Sequence, residues 1–305
     1  MPETKSESHR SGFAALVGRA NVGKSTLLNQ LVGTKVAIVS NVPQTTRHRI
    51  VGVRTLPEGQ VAFIDSPGFH KAQHKLGQVM LERAREAVGE ADVLLVVVDA
   101  SEGIGPGDRF VLQQVDPPRR KAPVLLVLNK IDQLNKGKLL PMIQAGVEEW
   151  GCREVVPVSA TDGTNCERLL ERVLAFLPEG PPLYPPDYVT DQREREQVAE
   201  LIREKLLTRL RQEVPHAIGV LVDQMEQRED GLIGIGATIL VERESQKGIV
   251  IGRQGRMLKE VGTAARRELE QRLGQKVFLE LWVKVREGWR NRLAILRELR
   301  IYPGG

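Results

Sequence analysis

Gly18-Arg19-Ala20-Asn21-Val22-Gly23-Lys24-Ser25 follows an apolar run, Phe13–Val17, and precedes Thr26-Leu27-Leu28-Asn29-Gln30-Leu31-Val32. The run reads as a buried strand and the segment after it as a helix. The spacing G-x-x-x-x-G-K-S therefore falls where a strand turns into a helix, the context that gives this motif its meaning. Glycines let the backbone wrap closely around a phosphate with its N–H groups pointing inward. The helix N-terminus, opened by Ser25 and Thr26, adds partial positive charge. Lys24 is expected to reach the outer phosphates and Ser25 to hold Mg²⁺. The competing reading, a glycine-rich turn with a surface lysine, leaves that context unexplained.

Outward from this loop, residues 12–177 alternate strand and helix patterns. Apolar runs at Phe13–Val17, Val61–Ile64, Val93–Val98, Val124–Leu128 and Val155–Val158 read as strands. Leu76–Val88, Asp108–Val115, Lys138–Trp150 and Glu167–Leu177 carry helical periodicity. The alternation predicts an α/β domain, a mostly parallel sheet with helices on both faces. His48–Thr55 and Gln60–Asp65, joined by Leu56-Pro57-Glu58-Gly59, read as a hairpin adding one antiparallel edge strand.

Pro178–Pro186 can be neither helix nor central strand and reads as a semi-rigid linker, residues 178–190. A smaller domain, 191–305, follows. Its order is helix Arg193–Leu210, strands Ile218–Gln227 and Leu232–Glu242, an apolar Ile249-Val250-Ile251, Gly252-Arg253-Gln254-Gly255, a basic helix Met257–Leu273, strand Val277–Val285 and a last helix Trp289–Leu299.

The 305 residues suit two domains, and 41% hydrophobic with 27% charged residues is ordinary for a globular chain. No apolar stretch is long enough to span a membrane. The polar residues 1–11 predict a fraying terminus and no secretory signal. Cys152 and Cys166 lack metal-type spacing and read as free thiols in a reducing cytoplasm. Nothing indicates more than a monomer. Between residues 247 and 300, 14 Lys and Arg face 6 Asp and Glu, against 30 and 33 in the rest of the chain. The whole basic excess sits there, which suits either a polyanion partner or a solvated helix face.

Further motifs follow the first in order. Asp65-Ser66-Pro67-Gly68 closes a strand: the aspartate can orient Mg²⁺ through a bound water, and the glycine can offer its N–H to a terminal phosphate. Asn129-Lys130-Ile131-Asp132 closes another. Asp132 can accept from both the N1–H and the exocyclic amine of guanine, donors that adenine does not pair this way. Asn129 and Lys130 would brace the base and the phosphate loop, and Ser159-Ala160-Thr161 can approach the guanine O6 through backbone N–H. In the polar loop 40–48, Thr46 is the expected second hydroxyl ligand of Mg²⁺, with Thr45 the alternative.

These five motifs resemble those of translation-factor-class GTPases. Pro43-Gln44-Thr45-Thr46-Arg47-His48 and Asp65-Ser66-Pro67-Gly68-Phe69-His70 resemble, more narrowly, the Era family of bacterial ribosome-assembly GTPases. The resemblance covers both domains. It implies GTP and GDP as ligands with Mg²⁺, and Lys24, Asn21, Thr46 and Gly68 at the phosphates during hydrolysis. Phe69 stands where other GTPases carry a water-orienting glutamine, so hydrolysis should be slow or need help. The resemblance further implies a K⁺ ion held by Asn21; the alternative is that Asn21 only tolerates the loop's backbone angles.

The second domain is similar to a type II KH domain with one extra helix. Its G-x-x-G loop would clamp single-stranded RNA. Arg253, Gln254, Arg256, Lys259 and Arg266, with Gly252 and Gly255, are the expected backbone contacts, and Ile249 and Ile251 the floor for bases. No aromatic residue lies in the loop, so base readout is expected to lean little on stacking. Trp282 and Trp289 read as core or helix-packing residues. The resemblance implies the 3′ end of 16S rRNA and the 30S subunit as partners, late subunit maturation as the role, and peripheral inner-membrane contact. Two alternatives stand beside it: a membrane-associated regulatory GTPase whose basic domain binds anionic lipid, and a P-loop ATPase or kinase, against which Asn129–Asp132 argues.

Overall fold

The computed structural model describes residues 9–69, 72–134, 136–229 and 231–302. The polar stretch 1–8 and His70 lie outside the described residues. Contacts divide the described chain into two units, one of residues 9–37, 46–69 and 80–191, the other of 38–45, 72–79 and 192–302.

The first unit is built on β1 (Arg10–Val17), α1 (Lys24–Val32), β2 (Ile50–Leu56), β3 (Gly59–Asp65), α2 (Lys75–Glu90), β4 (Val93–Asp99), α3 (Pro106–Val115), β5 (Val124–Asn129), α4 (Leu139–Glu148), β6 (Glu154–Pro157) and α5 (Cys166–Phe176). The sheet order is β2-β3-β1-β4-β5-β6, with only β2 antiparallel to its neighbour. Successive side chains of a strand leave opposite faces. Leu95 and Val97 of β4 thus join one core with α1 and α5, while Leu94, Val96 and Val98 join the other with α2 and α3. A strand buried on both faces has to be apolar throughout, which is why β4 and β5 read as unbroken runs.

Two expectations are corrected at the edges of this unit. Residues 9–11 do not fray: β1 begins at Arg10, whose guanidinium donates to the Leu177 carbonyl at 2.7 Å. The strand expected from His48 begins at Ile50. The proline-rich segment is pinned to the sheet by one polar side chain. Fully buried Gln60 accepts the N–H groups of Leu183 and Tyr184 at 2.8 and 2.9 Å and donates to the Tyr184 carbonyl at 3.0 Å. Tyr184 and Tyr188 stack with ring centroids 4.7 Å apart. Val53 then donates to the Val189 carbonyl at 2.8 Å.

The second unit adds α6 (Glu194–Leu207), β7 (Gly219–Gln227), β8 (Ile233–Val241), α7 (Glu244–Ile251), α8 (Arg256–Leu273), β9 (Val277–Val285) and α9 (Leu293–Glu298). β8 is central, antiparallel to β7 and parallel to β9. Leu201 and Ile202 of α6, Val250 of α7 and Val261, Ala265 and Leu269 of α8 cover one sheet face. The expected last helix is broken: Trp289–Asn291 is a 3-10 turn and extended Arg292 separates it from α9. Trp289 is fully buried and donates its indole N–H to the Ala217 carbonyl at 2.9 Å. Trp282 is not a core residue; it is 45% exposed. Alternation along β9 sends it to the face away from the helices, where its ring covers Gly236 of β8.

Candidate functional site

The phosphate loop closes because two residues take left-handed backbone angles, Asn21 at φ 67° and Gly23 at φ 94°. Gly23 could not be otherwise, since a β-carbon there would collide with the Asn129 amide. That amide donates to the Val22 carbonyl at 2.9 Å, while its oxygen accepts the Ala160 N–H at 3.0 Å. Asn129 thereby ties the phosphate loop to the loop after β6. Lys130 donates to the Asn21 carbonyl at 2.9 Å and to Asp99 at 2.6 Å. Burial alone would raise the Asp99 carboxyl, but Lys130 and the Ser101 hydroxyl hold it below the ordinary carboxylate range. Arg19 does not face the phosphates with its side chain, because Asp108 and Glu102 engage its guanidinium.

Lys24 is buried and donates to the Gly18 and Arg19 carbonyls at 3.2 and 2.8 Å. Burial lowers its ammonium to about 8, with Asp65 acting in the opposite direction. A polyphosphate in this loop would restore the charge the burial opposes.

Three oxygens converge beside it. The Ser25 and Thr46 hydroxyls lie 2.8 Å apart, and they stand 2.7 and 3.1 Å from the same Asp65 oxygen. Two hydroxyl protons cannot fill three such contacts as full hydrogen bonds. The other Asp65 oxygen is buried with no hydrogen-bond partner, and burial pushes this carboxyl above its usual range. An all-oxygen cluster of this kind fits a hard divalent cation, Mg²⁺. The Thr45 hydroxyl is spent in its own turn, on the Val42 carbonyl and Ser40 at 2.6 and 2.7 Å. Gly68 closes the site: a β-carbon there would stand 3.0 Å from the Ala20 nitrogen. Phe69 is buried in the core and donates its N–H to Gly18 at 3.2 Å, so its ring is withdrawn from the phosphates. Exposed Asp132 sits on a 3-10 turn after β5, and Thr161 is exposed; Ser159 is buried.

In the second unit, Gly252, Gln254 and Gly255 all have positive φ, which turns α7 into α8 in four residues. A groove of about 520 Å³ opens between α8 and β9. Lys259 and Arg266 stand along it, and Leu258, Leu279 and Leu281 form its apolar wall. Ile249 and Ile251 are not among its lining residues. They flank buried Val250 on α7, with Ile249 half exposed. Arg256 is paired with Glu260 at 2.9 Å, whereas Arg253 and Gln254 project into solvent. Phe278 lines the groove with Arg228 stacked 5.0 Å from its ring centroid. The Phe278 ring lies on the sheet face away from the helices, the face of Trp282, because the two residues are four apart on one strand.

Residues 13–130 match the family model described as 50S ribosome-binding GTPase, and residues 213–290 match the KH domain model. The chain is 50% identical over 291 residues to the GTPase Era of Heliobacterium modesticaldum, covering 95% of this chain and 97% of that one. The chain belongs to the Era family of GTPases. The GTPase Era of Alkaliphilus metalliredigens is 49% identical over 294 residues, covering 96% and 99%. Among solved structures, Era in complex with MgGDPNP and nucleotides 1506–1542 of 16S ribosomal RNA superposes with a TM-score of 0.93 at 42% identity, covering 96% of this chain and 99% of that one. An Aquifex aeolicus Era variant bound to GDP·AlF4⁻ gives 0.92 at 42% identity, with the same coverage. The Era fold is therefore shared along nearly the whole chain.

Proposed function

We propose that this chain is a GTP-hydrolysing switch, converting GTP and water to GDP and phosphate, that binds the 3′ end of 16S rRNA through its KH groove and acts in 30S subunit assembly. The likeness that carries the reading is to the Era complex holding both MgGDPNP and nucleotides 1506–1542 of 16S ribosomal RNA. The phosphate-loop N–H groups and Lys24 take the polyphosphate, Asp132 takes the guanine edge, and Ser25, Thr46 and Asp65 hold Mg²⁺. The metal supplies neutralisation of charge on the β- and γ-phosphate oxygens. The Gly68 N–H would be offered to a γ-phosphate, and loss of that group would release the Thr46 loop. With Phe69 buried in the core, no side chain at that position orients the attacking water. Asn21 holding a K⁺ ion would supply charge in its place.

The RNA side rests on Arg253, Gln254, Lys259 and Arg266 tracking phosphates while bases lie on the apolar wall. Among the described residues no helix is long and apolar enough to cross a membrane. We place the protein in the cytoplasm as a monomer, with peripheral contact to the inner membrane resting only on the basic excess of its C-terminal part. The deciding experiment is GTP hydrolysis with an oligonucleotide matching the 3′ end of 16S rRNA. Stimulation by it and not by a scrambled sequence supports the reading. Preference for anionic vesicles over RNA would favour the lipid-binding alternative instead.

A further inference from the structure

Residues 38–45 pack in the same unit as α6, and two buried charged residues of that helix hold their backbone. Arg203 is 2% exposed. Its guanidinium donates to the Glu200 carboxylate at 2.8 and 2.6 Å and also to the Thr45 carbonyl. One position on, buried Glu204 accepts the Val39 N–H at 2.9 Å. Glu204 also pairs with Lys205 at 2.8 Å, and Lys205 reaches Glu268 of α8, which anchors α6.

A guanidinium this deeply buried loses its hydration, and the arrangement holds only while its partners stay in place. The Thr45 carbonyl shares a planar peptide with the nitrogen and α-carbon of Thr46. A donor fixed on that oxygen therefore fixes where the Thr46 side chain starts. In this structure the same Thr46 carries its hydroxyl to Ser25 and Asp65. Thr45 spends its own hydroxyl inside the turn, so its carbonyl is the handle and its neighbour's hydroxyl the tool.

We propose that Arg203, oriented by Glu200, is a positioning residue for the reaction: by holding the Thr45 carbonyl it sets the Thr46 hydroxyl at the Mg²⁺ site and favours the triphosphate-bound arrangement of this loop. The inference rests on the reading of Thr46 as a Mg²⁺ ligand. Arg203 does not touch nucleotide. Its contribution is expected to be selective, because the Lys24, Asn129 and Lys130 contacts that shape the phosphate loop do not involve residues 39–46.

The test uses the full chain in two variants. Arg203→Lys keeps the charge beside Glu200 but lacks the fork that spans two acceptors. Arg203→Met combined with Glu200→Gln leaves no lone buried carboxylate. Binding of GDP and of Mg²⁺ with a non-hydrolysable GTP analogue is measured for each, with the Mg²⁺ concentration for half-maximal hydrolysis and Thr46→Ala in parallel. The expected result is GDP affinity within about twofold of the parent, analogue affinity lowered about tenfold, and a raised Mg²⁺ requirement, all in the direction of Thr46→Ala. Equal loss of GDP and analogue binding would reduce Arg203 to a structural role and overturn the proposal. So would unchanged binding and Mg²⁺ requirement in both variants while Thr46→Ala changes them. If Thr46→Ala itself changes nothing, the Mg²⁺ reading of Thr46 fails and takes this proposal with it.

Discussion

Lys130 lies 2.6 Å from the Asp99 carboxylate while the same nitrogen donates to the Asn21 carbonyl. One ammonium thus links the end of β4 to the middle of the phosphate loop. Asp99 is nearly fully buried, so the pair is shielded on one side. Asp99→Asn keeps the shape and removes the charge. It is expected to weaken GTP and GDP alike, by about 1–2 kcal/mol, because the loop is common to both. Titration calorimetry with both nucleotides checks this; a loss confined to one of them contradicts it.

Nucleotide affinity should fall with rising pH in the alkaline range. Burial holds the Lys24 ammonium at about 8, and bound phosphates raise it. A group whose bound-state value is raised contributes fully below the free-state value and loses that contribution as pH climbs through the bound one. Affinity for GDP should therefore be flat below pH 7 and decline above about 8, by at most roughly tenfold per pH unit. Lys24→Met should abolish the slope along with most of the binding.

Base selection should rest on one carboxylate. Asp132→Asn exchanges one of the two acceptors for guanine into a donor and should weaken GTP by about 1–3 kcal/mol. Competition binding against ATP measures the loss of discrimination. Unchanged affinity would move the base site elsewhere.

The RNA groove predicts two separable effects. Leu281→Ala should remove part of the apolar wall, cost about 1–2 kcal/mol of RNA affinity and leave its salt dependence unchanged. Lys259→Ala should instead reduce the slope of log affinity against log salt by about one phosphate contact. Filter binding across a salt series distinguishes them. Replacing Arg253 and Gln254 by aspartate should weaken RNA while GTP hydrolysis by the isolated protein persists.

If Asn21 holds K⁺, hydrolysis should be several-fold faster in K⁺ than in Na⁺ at equal ionic strength, and Asn21→Ala should remove the difference. Equal rates in the two salts would leave Asn21 with its backbone role alone, at φ 67°.

Much of the site was legible because it is local. The loop from Gly18 to Ser25 needs a strand before it and a helix after it, and both are written in adjacent residues. The order of Asp65–Gly68, Asn129–Asp132 and Ser159–Thr161 follows from the same rule, since each closes or follows a strand of one parallel sheet, at the edge where ligands bind. The αββααβ order and the basic excess pointed likewise to the RNA loop.

Other features depend on residues far apart in the chain. Neighbouring threonines look alike in sequence; only the approach of the loop to Ser25 and Asp65 separates Thr46 from Thr45. Ile249 and Ile251 look like a floor until α7 is formed, when Val250 takes the core and the groove wall passes to β9. Leu279 and Leu281 face α8, while Phe278 and Trp282 share the opposite face, because α8 covers only one side of β9. Arg203 reads as one more charge on an amphipathic helix, yet it is buried against the Thr45 carbonyl. The sequence by itself determined the nucleotide chemistry and the two-domain plan, because periodicity and loop motifs act over a few residues. The tertiary structure decided which hydroxyl reaches Ser25 and Asp65, which side chains line the α8–β9 groove and which arginine is buried, because those depend on the packing of distant segments.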